Sequence, residues 1–245
     1  MTRKEKMLNN SFKTGISDGI PISLGYFSVS IGFGLMAVSK GIPPVVALLM
    51  SLTNLTSAGQ VAGVDVIAGG GTYIEMAVAQ LVINMRYALM SVSLSQKMHN
   101  SVSFLDRLWI AFGNTDEIFA VSSTKNGELG KRYMLGLMLM PIFGWSSGTI
   151  LGAVAGKILP ETVISALGIA IYGMFVAVFV PPMKKSSAVS IVVLLSIILS
   201  CTFAFVPSLS KVSGGFVIII CALIAATVGA IIKPVADEEE QEEQR

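Results

Sequence analysis

Arg86 is a charged residue in a stretch of chain, residues 74–94, that is otherwise built almost entirely of apolar and small polar residues. An arginine at the centre of a bilayer costs at least about 2.5–3.5 kcal/mol, so it needs water or a carboxylate. Asp116 and Glu117 are the natural acids, because they interrupt an otherwise helical pattern at Gly113-Asn114-Thr115. An ionic unit of this kind on a broken helix is where membrane proteins bind substrates and coupling ions. The competing reading is a re-entrant loop that exposes both acids to water.

Neutral polar residues fall into two further patterns. Thr53, Thr56, Ser57 and Gln60 recur at the spacing of one helical face, and Gln80, Asn84, Tyr87, Ser91 and Ser95 make a second stripe. Buried polar groups cost free energy unless hydrogen-bonded, so in lipid they turn toward protein or water. Such stripes either hold helices together or line a substrate path, and both readings stand. Gly144, Gly148, Gly152 and Gly156 recur every four residues. That spacing lets two helix backbones approach closely and is read here as helix packing. A faint internal similarity pairs Phe27-Ser28 and Gly34 with Trp145-Ser146 and Gly152.

The elements that must position these residues are membrane helices. The chain of 245 residues is 53% hydrophobic and 13% charged, against roughly 25% charged in soluble domains. A crossing needs about 20 apolar residues, and residues 20–38, 45–66, 74–94, 133–155, 163–180, 188–206 and 215–232 qualify. The fold class is therefore all-α, a polytopic membrane protein of seven to eight helices, some of them broken. Residues 1–19 are expected to be a cytoplasmic segment, 20–235 one transmembrane domain, and 236–245 an acidic solvated tail. The first apolar run follows basic residues but lacks a small-residue cleavage site, so it is kept as a mature helix.

Charge placement argues for the eighth crossing. If residues 108–123 also cross, Arg3, Lys4, Lys6, Lys13, Lys125, Lys131, Arg132, Lys184, Lys185, Lys233 and Arg245 lie inside. Lys40, Lys97, Arg107, Lys157 and Lys211 then lie outside, in agreement with the positive-inside rule. Both termini are cytoplasmic in that arrangement.

Several function classes are poorly supported. A net charge of +2 offers no nucleic-acid surface. Cys201, Cys221 and the single His99 make no metal site, cofactor site or catalytic constellation. No phosphate-binding P-loop is present.

The motifs together resemble the AzlC family, the large subunit of two-component branched-chain amino-acid exporters. The resemblance runs from about residue 12 to residue 182. It rests on Asp18-Gly19-Ile20-Pro21 with Gly25, on Ser51 through Gln60, and on Asn84-Met85-Arg86-Tyr87. Thr115-Asp116-Glu117 and the glycine-rich stretch from Gly144 to Gly152 complete it. Thr56-Ser57 stand where many members have Ala-Gly, and Tyr87 where many have His. The resemblance implies a multi-pass plasma-membrane permease working with a small AzlD-like membrane subunit. It also implies export of leucine, isoleucine, valine or their analogues.

On that reading Arg86 or a helix N-terminus receives the substrate carboxylate. Asp116 or Glu117 receives the ammonium or a coupling proton, and Gln60, Asn84, Thr56 and Ser57 orient the ligand. A passive channel or an assembly subunit is the alternative. A membrane-embedded enzyme is the least supported.

Overall fold

A computed structural model describes residues 10–156, 158–160, 162–163, 173, 176, 179–184, 186–209 and 211–232. The expected span at 163–180 lies largely outside these residues, and the tail at 236–245 wholly outside them. In chain order the helices are α1 (Phe12–Ser39), α2 (Pro44–Thr53), α3 (Ser57–Ala68), α4 (Tyr73–Gln96), α5 (Phe104–Phe112), α6 (Asp116–Thr124), α7 (Lys131–Ala155), α8 (Ser187–Phe205) and α9 (Gly214–Ile232). Among the described residues no strand is present, and five helices, α1, α4, α7, α8 and α9, are long and apolar enough to cross a bilayer. The chain is a polytopic α-helical membrane protein.

The chain divides into two compact units, residues 1–64 with 83–172, and residues 65–82 with 173–245. In the first, α1 and α7 form the core pair. Their contact is built from small residues on both sides. A Cβ added to Gly136 would strike the Phe12 carbonyl; at Gly144, Gly148 and Gly152 it would strike the carbonyls of Ser23, Phe27 and Ile31. The partner positions rise together along both helices, so α1 and α7 run in the same direction. Gly15 and Gly34 answer from α1, against Tyr133 and Thr149. Gly156, at the C-cap, is less crowded: its nearest neighbours would be Gly152 O at 3.3 Å and Leu35 Cδ2 at 3.4 Å. The two faintly similar segments meet in this pair, with the Phe33 and Trp145 rings 6.4 Å apart.

Two of the expected helices are each broken in two. Residues 45–66 are not one helix: α2 ends at Thr53 and α3 begins at Ser57. The Thr56 hydroxyl accepts from Gly59 N at 3.4 Å, the bond by which an N-cap threonine starts a new helix. The supposed continuous face of Thr53, Thr56, Ser57 and Gln60 is therefore split across the break.

Residues 108–123 are not one continuous helix either. α5 and α6 are separated at residues 113–115, where Thr115 caps α6 through Ile118 N at 3.4 Å. Both outer ends of this hairpin lie at the end of the unit where α7 begins. At the α5 end, Arg107 Nη1 donates to Ser95 O at 2.6 Å and Lys131 pairs with Asp106 at 2.6 Å. At the α6 end, Lys97 Nζ donates to Ser123 O at 2.5 Å and Lys125 pairs with Asp18 at 3.4 Å. Lys97 O and His99 N also bond to Leu129, each at 2.9 Å. The tip of the hairpin touches Met138 at Gly113, about 10 Å along α7 from its start. It reaches Tyr26, whose ring packs on Trp145 at 5.4 Å, about 21 Å along the same helix.

This geometry reverses the assignment of Lys97 and Lys131 to opposite sides. Cysteines placed at 97 and 131 are expected to react with a membrane-impermeant maleimide from the same side. Labelling from opposite faces would show that the hairpin crosses.

In the second unit α8 and α9 pack together, with Gly229 facing Val192. Glu75, in the first turn of α4, is buried and accepts from Gly215 N at 3.0 Å and from Ser213 Oγ. A carboxylate at a helix start meets the positive end of the helix dipole, which explains why this acid is tolerated beside such apolar helices.

Candidate functional site

The two helix breaks meet beside the second half of α4. Thr53, Asn54, Leu55 and Thr56 from the first break, Ala111, Phe112 and Asn114 from the second, and Asn84 and Tyr87 from α4 surround a cavity of about 130 Å³. A break exposes backbone groups that a continuous helix would satisfy internally. Placing two breaks together concentrates polar groups that lipid could not satisfy.

Beside this cavity lies an ionic cluster. Arg86 Nη2 stands 2.9 Å from Asp116 Oδ2 and 3.0 Å from the Tyr87 hydroxyl, which in turn lies 3.4 Å from Asp116 Oδ2. The Arg86 guanidinium also sits 4.8 Å from the Tyr87 ring centroid. Arg86 and Asp116 side chains are 48% and 43% exposed. Charges so exposed cannot face hydrocarbon, so water or another protein must meet them. Glu117 is held separately: its carboxylate accepts from the Tyr26 hydroxyl, and that hydroxyl lies 2.8 Å from Thr115 Oγ1. The first turn of α6 is thus tied to α4 through Asp116 and to α1 through Glu117.

Gln60 is fully buried. Its Oε1 accepts from Trp145 Nε1 at 3.0 Å and Ser51 Oγ at 3.3 Å, and its Nε2 donates to the Asn54 carbonyl. Ser51 continues to Thr149 at 2.9 Å. One amide therefore links α3, the end of α2 and α7, holding the first break in shape. Of the residues singled out from sequence, Thr56 and Asn84 line the cavity, whereas Arg86, Asp116 and Glu117 stand beside it. Gln60 lies behind it, and Ser57 opens α3 without lining it.

Sequence reading missed Asn114, Tyr26 and Trp145. Asn114 was legible only as a helix breaker next to Gly113. Tyr26 carried a weak signal, a hydroxyl in the middle of an apolar helix that needs a partner when buried.

The AzlC protein family's profile matches residues 21–159, more than half of the chain. The chain belongs to the AzlC family. The matched region contains both helix breaks, the ionic cluster and the glycine stripe of α7. Among AzlC relatives, an uncharacterized membrane protein of Archaeoglobus fulgidus is 32% identical over 175 residues, 71% of this chain and 76% of the relative. Inner membrane protein YgaZ of Escherichia coli is 24% identical over 235 residues, 93% of this chain and 94% of that one. Branched-chain amino acid transport protein AzlC of Bacillus subtilis is 21% identical over 185 residues, 74% and 72% of the two chains. No solved structure matches this AzlC-family chain.

Proposed function

We propose that this chain is the large subunit of a gradient-driven exporter of branched-chain or similar small hydrophobic amino acids, working in the plasma membrane with a small AzlD-like subunit. The observation that carries the reading is the meeting of two helix breaks around a polar cavity, beside an Arg86–Asp116 pair on a membrane-length helix. Discontinuous helices near mid-depth are the usual binding element of secondary transporters.

Connectivity supports a two-sided arrangement. α1 and α7 run in the same direction, and the end of α4 lies beside the start of α7, where Leu94 and Met98 pack with Leu129 and Tyr133. The chain therefore makes one net crossing between the end of α1 and the end of α4. α4, at 24 residues, is about 36 Å long and suffices alone. That leaves α2 and α3 as a second pair that enters and returns, from the end opposite to α5 and α6. Two hairpins entering from opposite faces suit alternating access, because each can open its own side of one shared cavity. The half-exposed Arg86–Asp116 pair suits either a wet vestibule or cover by the small subunit.

The test is counterflow in vesicles. Purified chain, reconstituted with and without a small AzlD-like subunit, should concentrate labelled leucine transiently when loaded with unlabelled leucine. Leucine flux that equilibrates without such an overshoot would indicate a passive channel. Flux carried by the small subunit alone would indicate an assembly role.

A further inference from the structure

The polar stripe of α4 extends beyond Asn84 and Tyr87, the two members that line the cavity. It continues through Ser91 and Ser95 on the same helical face, ending about 16 Å from Asn84 along α4. Both hydroxyls face the α5–α6 hairpin. Ser91 Oγ accepts from Asn114 Nδ2 at 3.3 Å, and Ser95 Oγ accepts from Arg107 Nη1. Hydrogen bonds alone would make the stripe an adhesive between helices.

A second cavity gives it a further role. It lies between Ser91 and Ser95 of α4 and Arg107, Ile110 and Ala111 of α5. Ala111 is a wall of both cavities, and Asn114 of the first bonds to Ser91 of the second. The two therefore follow one another along the polar face of α4, from the helix breaks toward the end where α7 begins. Their sizes differ. The first measures about 130 Å³ and the second about 20 Å³, room for about one water and far too little for an amino acid. Arg107 stands at the far end of the second. Its Nη1 also donates to Ser95 O at 2.6 Å and its Nε to Val102 O at 3.3 Å, so one half-buried guanidinium joins the end of α4 to the start of α5.

Charge identifies the side that this end faces. Lys13, Lys97, Arg107, Lys125, Lys131 and Arg132 gather there, whereas Lys40 lies at the opposite end of α1. The positive-inside rule makes it cytoplasmic.

We propose that the polar face of α4 is the substrate's cytoplasmic route to the larger cavity, and that Arg107, bound to Ser95, is the gate that closes it. The route presupposes the transporter reading and deepens it. A zwitterion that sheds water on entry needs polar groups at each step, and Ser95, Ser91, Tyr87 and Asn84 offer them in succession. When Arg107 releases Ser95, the hairpin is free to part from α4 and the narrow cavity opens into the larger one.

Ser91→Cys tests the route, in a chain and small subunit otherwise free of cysteine (Cys201→Ala and Cys221→Ala here). A charged, membrane-impermeant methanethiosulfonate added from the side where α7 begins is expected to modify position 91 and stop leucine exchange. Saturating leucine should slow the modification. Complete modification with exchange unchanged, or a cysteine that stays unreactive while leucine is exchanged, would overturn the route and leave the transporter reading intact. Wild-type protein that exchanges no amino acid would overturn both. Ala111→Cys, on the facing wall, answers the same question should Ser91→Cys not fold.

Arg107→Gln, added to Ser91→Cys, is expected to speed the modification about ten- to hundred-fold, the factor for losing a hydrogen bond made by a charged donor. If Arg107 served only to cap the last carbonyls of α4, the variant would lose abundance and keep the wild-type modification rate. That result would overturn the gate. Should Arg107→Gln not reach the membrane, Ser95→Ala removes one acceptor and is expected to raise the rate about three- to tenfold. An unchanged rate there would overturn the gate as well.

Discussion

Arg86→Gln is expected to lower both membrane abundance and leucine transport strongly, and Asp116→Asn to do the same. Each single change leaves one charge without the partner that stands 2.9 Å away. Both side chains are about half exposed, so water offsets part of the cost of the unpaired charge, and the loss of folded protein is smaller than the full bilayer-centre penalty would give. The double variant removes both charges, so its abundance should recover beyond additivity. Its transport should stay low, because the α6 hairpin loses its tether to α4.

Glu117→Gln supplies the contrast. Glu117 is bound to Tyr26 on α1 and takes no part in the Arg86 pair. Its effect should therefore add to that of Arg86→Gln without coupling. Strict additivity in the Arg86–Asp116 cycle, measured on abundance and transport together, would show that Arg86 depends on another partner.

Gly148→Leu and Gly152→Leu are expected to leave little folded protein. A Cβ at Gly148 meets the Phe27 carbonyl and Ser30 Oγ, and one at Gly152 meets the Ile31 carbonyl. Backbone atoms cannot rotate away, so α1 and α7 must separate over several turns. Overpacking alone typically costs about 1–3 kcal/mol, and a backbone clash in the core pair should exceed that range.

Gly25→Ala is the control, because nothing lies within 4 Å of a Cβ at that position. Size-exclusion profiles of detergent-extracted variants would report the result. A Gly148→Leu or Gly152→Leu protein that assembles normally but exports a different amino acid would place the stripe on the substrate path.

Much of this molecule was legible in the residues alone. The long apolar runs of α1, α4, α7, α8 and α9 declare membrane helices, since hydropathy and length are local properties of the chain. The isolation of Arg86 among apolar residues demanded a carboxylate, and Asp116 was a short-listed partner for that reason. The four-residue spacing of Gly144, Gly148 and Gly152 declared a close helix contact, although not which helix would supply it. Family membership was visible in the same motifs.

The direction of the chain through residues 45–66 and 108–123 was not legible. Two half-helices joined by a turn have about the length and apolarity of one crossing, so composition cannot separate a span from a hairpin. Counting Lys and Arg favoured a crossing at 108–123 because it treated Lys97 and Lys131 as belonging to different loops. Only the bonds at the hairpin's two ends, Lys97 to Ser123 and Lys131 to Asp106, show that it returns to where it started. The break at residues 54–56 contains neither glycine nor proline, and its local signal was the capping hydroxyl of Thr56. Gln60 likewise read as one member of a polar face, yet its amide is committed to Trp145, Ser51 and Asn54. A side chain's residue type states which bonds it needs; which groups meet that need depends on segments distant in sequence, and only tertiary packing brings them together.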